Sequence, residues 1–323
     1  MNPIEFSDRC RGAIWGQFVG DAASLGTHWI YDLEELKQRY PAIVGFEEPM
    51  AGHYHFGKNA GDLTHYGEAA LIMAESVAAM GRFDPFHFGA RFTAYFGAES
   101  FRGYLDKSTK GTLERKAAFE REKPGSEFAF QSGADDDQLG TVSRLAPLVV
   151  AQVHDSRIQE SVDRATLVTQ HNDVAIVHAR AHALLLLDLL RGRDFRLALQ
   201  NTADEIVKHP ILGALVHREI RNAIQAEGLT VVEATGQFGQ SCPLPKSFPS
   251  ALQCALKHGG SFSDAILENI RAGGDNAGRG AMIGAWIGAM LGVNAIPEGW
   301  RRKLRDYTAL EAAVEAIVQR LRV

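Results

Sequence analysis

The chain has 323 residues, of which 46% are hydrophobic and 23% are charged, and its formal net charge is −5. This length suits one large core or two smaller ones. An acidic balance without long runs of one sign disfavours nucleic acid or an anionic membrane as a main partner.

The hydrophobic spacing is helical along nearly the whole chain. In chain order, helices are predicted at about 7–25, 66–80, 85–98, 140–154, 156–170, 173–191, 195–208, 211–226, 248–258, 263–272, 276–291 and 306–321. The one strand-like stretch is 230–234, so a parallel sheet is not expected. Loops at 42–65, 123–137 and 236–247 are expected to gather over one end of a single all-α domain spanning 1–323.

Cysteine use and apolar segments predict the location of the protein. Cys10, Cys242 and Cys254 are scattered and give neither a disulfide framework nor a CxxC metal motif. The first residues lack the apolar core of a signal peptide. The apolar run 281–296, of about 16 residues, is shorter than the roughly 20 that cross a bilayer. We expect a cytoplasmic protein, either a monomer or a homodimer.

Glycine recurs at every fourth position in two apolar segments. The glycines of the first segment end at Asp21, and those of the second follow Asp275 and Asn276. Their positions are Gly12, Gly16, Gly20, Gly280, Gly284, Gly288 and Gly292. This spacing puts them on one face of each helix, where a missing Cβ lets another backbone approach. The alternative is ordinary tight packing without a functional purpose.

Four polar clusters at helix ends or in loops are candidate sites, and they lie at 20–29, 62–68, 135–138 and 275–279. Carboxylate, amide and hydroxyl oxygens are the ligands that Mg²⁺ and Mn²⁺ prefer. The same residue types also cap helix N-termini. A single Asp or Asn before a helix is better explained as a cap, so a site requires several of these ends to meet.

The histidines are weaker candidates. His53, His55 and His65 lie near one another in sequence, but no paired cysteine, HExxH motif or fixed spacing favours a zinc site. His178 and His182 are four residues apart on one helix and are expected to be ordinary buried or surface histidines.

One basic face is also a candidate. Tyr104, Lys107, Lys110 and Arg115 either meet a phosphate group or belong to an exposed helix. No GxSxG elbow, P-loop or GxGxxG motif occurs, which argues against common acyl-transfer, NTPase and dinucleotide-binding folds.

At four motifs, in order, the chain resembles the ADP-ribosylglycohydrolase superfamily. The motifs are GAIWGQFVGDAASLG at 12–26, GTVSRLAPL at 140–148, TQHNDVA at 169–175 and GGDNAGRGAMIGAWIGAMLGVNAIPEGW at 273–300. The resemblance implies an orthogonal all-α bundle with a two-magnesium centre. It also implies hydrolysis of the glycosidic bond that joins ADP-ribose to an arginine, serine or related acceptor. Metal ions suit this reaction because they orient oxygen ligands and acidify a bound water.

The metal-binding motifs themselves depart from the family pattern. Where active relatives have Thr-Asp-Asp, residues 64–66 read Thr-His-Tyr, and where they have Asp-x-Asp-Thr, residues 275–278 read Asp-Asn-Ala-Gly. These changes resemble the branch that includes the J1-crystallins and selenoprotein J. Two divalent cations about 3.5–4 Å apart need several anionic ligands. One magnesium ion, or none, is therefore expected rather than two.

Together these patterns suggest a hydrolase that cleaves a glycosidic bond of an ADP-ribosylated or related ribosyl substrate, with or without help from magnesium. The expected catalytic carboxyls are Glu68, Asp275 and Asp136, and Glu68 and Asp275 are also the expected metal ligands. The expected substrate-binding residues are Asp21, His65, Tyr66, Asp135, Asp137, His171, Asn276 and Arg279, the last as a phosphate partner. The alternative is a catalytically inactive ligand-binding or structural protein of the same fold.

Overall fold

The computed structural model describes residues 4–321, so 1–3 and 322–323, the ends of the predicted domain, lie outside the described residues. Within 4–321 the chain is all-α, as predicted, with a few isolated β-bridges and no strand. The helices α1 to α16 are Phe6–Ser24, Leu33–Arg39, His65–Met80, Pro85–Phe96, Lys107–Glu122, Ala146–Ala151, Ile158–Thr169, Asp173–Leu190, Phe195–Ile206, Gly213–Gln225, Val231–Phe238, Leu244–His258, Phe262–Arg271, Asn276–Leu291, Glu298–Lys303 and Tyr307–Arg320. None of these described helices is both long and apolar enough to cross a membrane.

Two sequence predictions about secondary structure are wrong, and one helix was left as an alternative, each for an identifiable reason. The strand-like stretch at 230–234 opens helix α11, because Thr230 and Glu233 form a capping box that starts a helix. The predicted helix 140–154 is a 3₁₀ turn followed by α6, and Pro147 in the first turn of α6 has no N–H to continue the preceding turn. Helix α5 was expected only as an alternative, the exposed helix with Lys107, Lys110 and Arg115, because its sequence is strongly polar and lacks an apolar stripe.

Helices α1 and α14 pack against each other in antiparallel directions along their glycines. A Cβ added to Gly16 would lie 2.0 Å from the carbonyl oxygen of Gly284, and one added to Gly284 would lie 2.0 Å from the carbonyl oxygen of Gly16. The other pairs repeat this close approach. We call the contact the glycine seam, and it consists of Gly12, Gly16, Gly20, Gly280, Gly284 and Gly288. The sequence predicted that each helix admits a close backbone, and the structure shows that the two helices pack against each other. Gly292 was predicted on the same face, but it is the C-cap of α14 with φ 79°.

The glycine seam places the polar ends of three helices together. Because α1 and α14 are antiparallel, Asp21 near the end of α1 lies close to the start of α14 at Asn276. Helix α3 begins at the same place, since a Cβ added to Gly67 would lie 2.3 Å from a carboxylate oxygen of Asp21. The loops 25–32, 42–65 and 97–106 cover this end of the helices.

Candidate functional site

Asp21 supports the start of α3. Its side chain is 1% exposed, and its carboxylate accepts hydrogen bonds from the Thr64 N–H, at 2.9 Å, and from the Thr64 hydroxyl. Thr64 in turn caps α3 by accepting from the Tyr66 N–H at 3.2 Å. Burial raises the pKa of Asp21 to about 7, against the opposite effect of the two Thr64 hydrogen bonds. Asp21 therefore holds helices together and does not face an open cleft.

Asp275 is the N-cap of α14 and is completely buried. One carboxylate oxygen accepts from the Gly278 N–H at 3.2 Å, and the other accepts from the Tyr66 hydroxyl at 2.9 Å. Burial raises the pKa of Tyr66 well above its ordinary value, and the charge of Asp275 adds to this effect, so the phenol remains a donor. Both oxygens of Asp275 are thus engaged by groups of the protein itself.

Asn276 and Arg279 are also buried and engaged. The Asn276 amide donates to the Thr27 hydroxyl at 3.0 Å. The Arg279 guanidinium donates to Asn269 Oδ1 at 3.0 Å, and it also donates to the backbone carbonyls of residues 240 and 273. Because these bonds fix the turn that precedes α14, the geometry gives Arg279 a supporting role instead of the expected phosphate contact.

Three imidazoles converge beside Asp275, and we call them the histidine cluster: His28, His55 and His65. One nitrogen from each lies within 4.8 Å of the others. The three residues are only 0%, 2% and 4% exposed. His28 Nε2 and both ring nitrogens of His55 and of His65 have no hydrogen-bond partner among the described residues. Burial lowers the pKa of all three imidazoles, so they are neutral at neutral pH.

Loop contacts hold the histidine cluster in place. His53 Nε2 donates to the His28 carbonyl oxygen at 2.6 Å, and His53 Nδ1 accepts from the His55 N–H at 3.0 Å. The Trp29 ring stacks on His55 with a centroid distance of 5.6 Å. Trp29 itself adopts φ 64°, and its N–H donates to the Gly274 carbonyl oxygen at 2.8 Å. His53 thus positions the cluster, and His28 takes the third place in it.

A cleft of about 750 Å³ opens next to the histidine cluster. We call it the aromatic cleft. Its side chains are mainly aromatic or basic: Tyr54, His55, Phe56, Lys58, Tyr95, Phe101, Arg102 and Tyr104. Glu68 is the one carboxyl among its described lining residues, and it lies 2.6 Å from Lys58 Nζ. Burial raises the pKa of Glu68, and the positive charge of Lys58 opposes this effect.

A second cleft, of about 720 Å³, adjoins the first at Tyr104. We call it the basic cleft, and its charged lining residues are Lys107, Lys110, Glu114, Arg115 and Asp135. It contains all four residues of the basic face noted in the sequence. Asp135, one of the residues that line the basic cleft, accepts a hydrogen bond from the Asn172 amide at 2.6 Å.

The other acidic and histidine candidates diverge from one another. Asp136 is 2% exposed and accepts from the Gln170 amide at 3.1 Å, and burial raises its pKa to about 6. Asp137 is half-buried, and its carbonyl oxygen accepts from the Leu244 N–H at 2.9 Å. His171 is exposed, and its N–H donates to the Ala134 carbonyl oxygen at 2.8 Å, next to the acidic triplet. Adjacent positions in the acidic triplet therefore face different surroundings.

The expected site residues therefore do not line one shared cleft. Glu68 faces the aromatic cleft, whereas Asp275 is buried behind Tyr66 and is not among the lining residues of the described clefts. The sequence interpretation included His28 in the candidate cluster 20–29 without giving it a role, and it missed Lys58 and every aromatic lining residue except Tyr104. The one sequence feature that could have indicated these residues is the high frequency of aromatic residues and histidines in the loops.

Comparison with known proteins identifies the class to which this fold and cleft belong. A profile of the ADP-ribosylglycohydrolase family matches residues 2–323, and the chain belongs to this family. It is 25% identical to crystallin J1A of Tripedalia cystophora over 93% of each chain. It is also 25% identical to the ADP-ribosylarginine hydrolase Tri1 of Pseudomonas putida (strain GB-1), over 94% of this chain and 76% of that one.

Structural comparison agrees with the family. A solved structure described as an ADP-ribosylglycohydrolase-related protein complex matches with a TM-score of 0.73 and 25% identity, and the match covers 98% of both chains. The family resemblance and the orthogonal all-α bundle predicted from the four motifs are confirmed.

Proposed function

We propose that this protein is a hydrolase that cleaves a glycosidic bond of an ADP-ribosylated or related ribosyl compound bound in the aromatic cleft. Family membership and the similarity to an ADP-ribosylarginine hydrolase support the type of bond. The observation that carries the proposal is Glu68, the one carboxyl among the described lining residues of the aromatic cleft, whose other side chains are mainly aromatic or basic. Glu68 also borders a further cleft of about 710 Å³, whose other carboxyls are Asp62, Glu75 and Asp306.

The two adjoining clefts suit the parts of such a ligand. Tyr54, Phe101 and Tyr104 offer ring faces and edges for a base or a ribose. Lys107 and Lys110, across Tyr104 in the basic cleft, offer charge for a diphosphate. Volumes of about 750 and 720 Å³ fall in the range of small-molecule sites.

Glu68 is placed to act as a general base. Its carboxylate would take a proton from a water as that water attacks the anomeric carbon of the ribose. The bond between the anomeric carbon and the acceptor breaks in the same step, the acceptor takes a proton from solvent, and Glu68 afterwards returns its own proton to solvent. Lys58, at 2.6 Å, favours the ionised form of Glu68, which is the form that a base needs. The negative charge also stabilises an oxocarbenium-like transition state.

The residues at the family's metal motifs do not fit a pair of magnesium ions. Asp275 is the one carboxylate left in these motifs, and both of its oxygens accept hydrogen bonds from the protein. Magnesium prefers several oxygen ligands in an octahedron, whereas the unpartnered buried atoms nearby are five imidazole nitrogens and one uncharged amide oxygen, Asn276 Oδ1. The proposed reaction therefore uses Glu68 and involves no magnesium step.

Turnover by a Glu68→Gln variant tests this proposal. We expect release of ADP-ribose from ADP-ribosylated arginine or serine substrates to fall about 100-fold or more, because an amide cannot take the proton. Binding of ADP-ribose, measured by calorimetry, should change much less. Glu75→Gln is the matched control, since Glu75 lies on the same helix and is paired with Arg91. Equal turnover in both variants would remove Glu68 from the mechanism.

A non-catalytic ligand-binding or structural protein is the second candidate. The engagement of Asp275 by Tyr66 and Gly278 favours it, as does the similarity to crystallin J1A. This candidate predicts that ADP-ribose binds in the aromatic cleft, while no ribosylated acceptor is cleaved by the wild-type protein. Under the same conditions the hydrolase proposal predicts turnover that depends on Glu68.

A further inference from the structure

We propose that the histidine cluster, His28, His55 and His65, is a binding site for a transition-metal cation of the zinc class. This inference is independent of the hydrolase proposal, because it concerns metal binding and not turnover. It also revises the sequence-based expectation that no histidine zinc site forms.

The first argument is the lack of hydrogen-bond partners. Buried polar nitrogens normally have a partner, and each one without a partner costs free energy. In the histidine cluster His28 Nε2 and both nitrogens of His55 and His65 have none. One cation bound by a nitrogen from each ring would satisfy three of these five atoms.

The second argument is geometric. In tetrahedral zinc sites the Zn–N distance is about 2.0–2.1 Å, which puts two ligand nitrogens about 3.4 Å apart. The three nitrogens of the cluster already lie within 4.8 Å of one another. Side-chain shifts on the order of 1 Å would therefore bring them to one ion. His55 also lines the aromatic cleft, so a fourth ligand can reach the ion from there.

The third argument concerns the groups around the ligands. Metal-binding histidines usually turn their other nitrogen to a carboxylate or a backbone carbonyl. His28 Nδ1 lies 3.6 Å from a carboxylate oxygen of Asp275 and accepts a long hydrogen bond from the Ala277 N–H at 3.4 Å, and His65 Nε2 lies 3.8 Å from a carboxylate oxygen of Asp106. These carboxylates are also negative charges that offset part of the charge of a divalent cation. Two positive groups, Lys58 and Arg279, act on the cluster, and the charge of Lys58 is paired with that of Glu68.

The donor type selects the metal. Neutral imidazoles suit zinc, copper, nickel and iron, whereas magnesium and calcium prefer oxygen ligands. The cluster also lies at the family's metal motif, since His65 follows Thr64 at the start of α3. We therefore infer that a site of imidazole nitrogens for a metal such as zinc replaces, in this chain, the family's site of oxygen ligands for magnesium.

Titration with Co²⁺, followed by visible absorption and then by displacement with Zn²⁺, tests the proposal on the full chain. We expect one equivalent of Co²⁺ to give the absorption of a four-coordinate nitrogen site, Zn²⁺ to abolish it, and excess Mg²⁺ to leave it unchanged. His55→Asn and His65→Asn should each lower the affinity for the metal at least 10-fold.

His182→Leu is the matched control. His182 is also completely buried with both nitrogens unpartnered, but it stands alone against Trp286. This variant should keep full Co²⁺ binding. Circular dichroism confirms that each variant is folded, and His28→Asn replaces any variant that is not. Absence of stoichiometric Co²⁺ binding by the wild-type protein would overturn the proposal, and so would unchanged binding by the folded cluster variants.

Discussion

The glycine seam and the histidine cluster lie at adjoining places in the fold, but the sequence encodes them in opposite ways. The seam is a contact between two continuous helices, and each glycine meets a backbone carbonyl of the other helix. The cluster takes one histidine from each of three separate segments, and its side chains leave nitrogens unpartnered. The seam is determined by steric limits within regular helices, whereas the cluster depends on how loops fold over the helix ends.

The difference separates two roles: the glycine seam stabilises the fold, and the histidine cluster provides groups that can bind a ligand. Backbones that approach this closely leave no room for another side chain. A buried imidazole without partners is costly for folding, and unlike the single His182 the three imidazoles of the cluster converge where one cation could bind them all. The following predictions test this contrast, beginning with the largest expected effect.

Gly16→Ala should separate α1 from α14. Its new Cβ would lie 2.0 Å from the Gly284 carbonyl oxygen, which belongs to the backbone and cannot move alone. We expect the free energy of unfolding to fall by about 3 kcal/mol or more, measured by urea denaturation.

Gly236→Ala is the matched control for this prediction. Gly236 is an exposed residue of α11, and no atom lies within 4 Å of the position that a Cβ would take. This variant should gain about 0.5–1 kcal/mol, because alanine is the better helix former. A Gly16→Ala protein as stable as the wild type would show that the seam is not closely packed.

Asp21→Asn should flatten the dependence of stability on pH. The pKa of Asp21 is about 7 in the folded state and 3.8 in its ordinary state. A raised pKa means that the folded state binds the proton more tightly. The stability contributed by that proton is therefore complete below about pH 4 and is lost as the pH rises through about 7.

Unfolding free energies of both proteins from about pH 4 to about pH 8 measure this effect. The wild type should lose on the order of a few kcal/mol relative to Asp21→Asn over that range. Parallel curves for the two proteins would contradict the assignment of a buried, proton-binding carboxyl to Asp21.

Tyr66→Phe should have the smallest of the three effects. It leaves one oxygen of the buried Asp275 carboxylate without its donor, which costs about 1–3 kcal/mol of unfolding free energy. Tyr307→Phe removes a similar bond, to Glu311, on the surface, and it should change stability by less than about 0.5 kcal/mol. Equal losses of unfolding free energy in the two variants would contradict the claim that Tyr66 pairs a buried oxygen of Asp275.

Much of the fold could be predicted because it depends on local patterns. The glycine spacing predicted that α1 and α14 each admit a close backbone, and helical periodicity located most of the other helices. Helix α5 could be given only as an alternative, because its buried residues, Ser108, Thr109 and Thr112, are polar and form no apolar stripe. Thr230 and Glu233 carried a cap signal that the β-branched residues after them concealed.

The candidate site was harder to predict because it depends on loop geometry. Glu68 was singled out from the sequence, and it does face a cleft. His53, His55 and His65 were grouped because they are near in sequence, but backbone hydrogen bonds turn His53 away and bring in His28. No periodicity predicts such an exchange, since it arises from turns such as the one at Trp29.

Anomalous diffraction at the zinc absorption edge tests the central claim most directly. Crystals of the wild-type protein would be equilibrated with one equivalent of Zn²⁺ in the presence of excess Mg²⁺. We predict one strong anomalous peak within bonding distance of nitrogens from His28, His55 and His65. Zinc bound elsewhere, with these three imidazoles still unligated, would contradict the account.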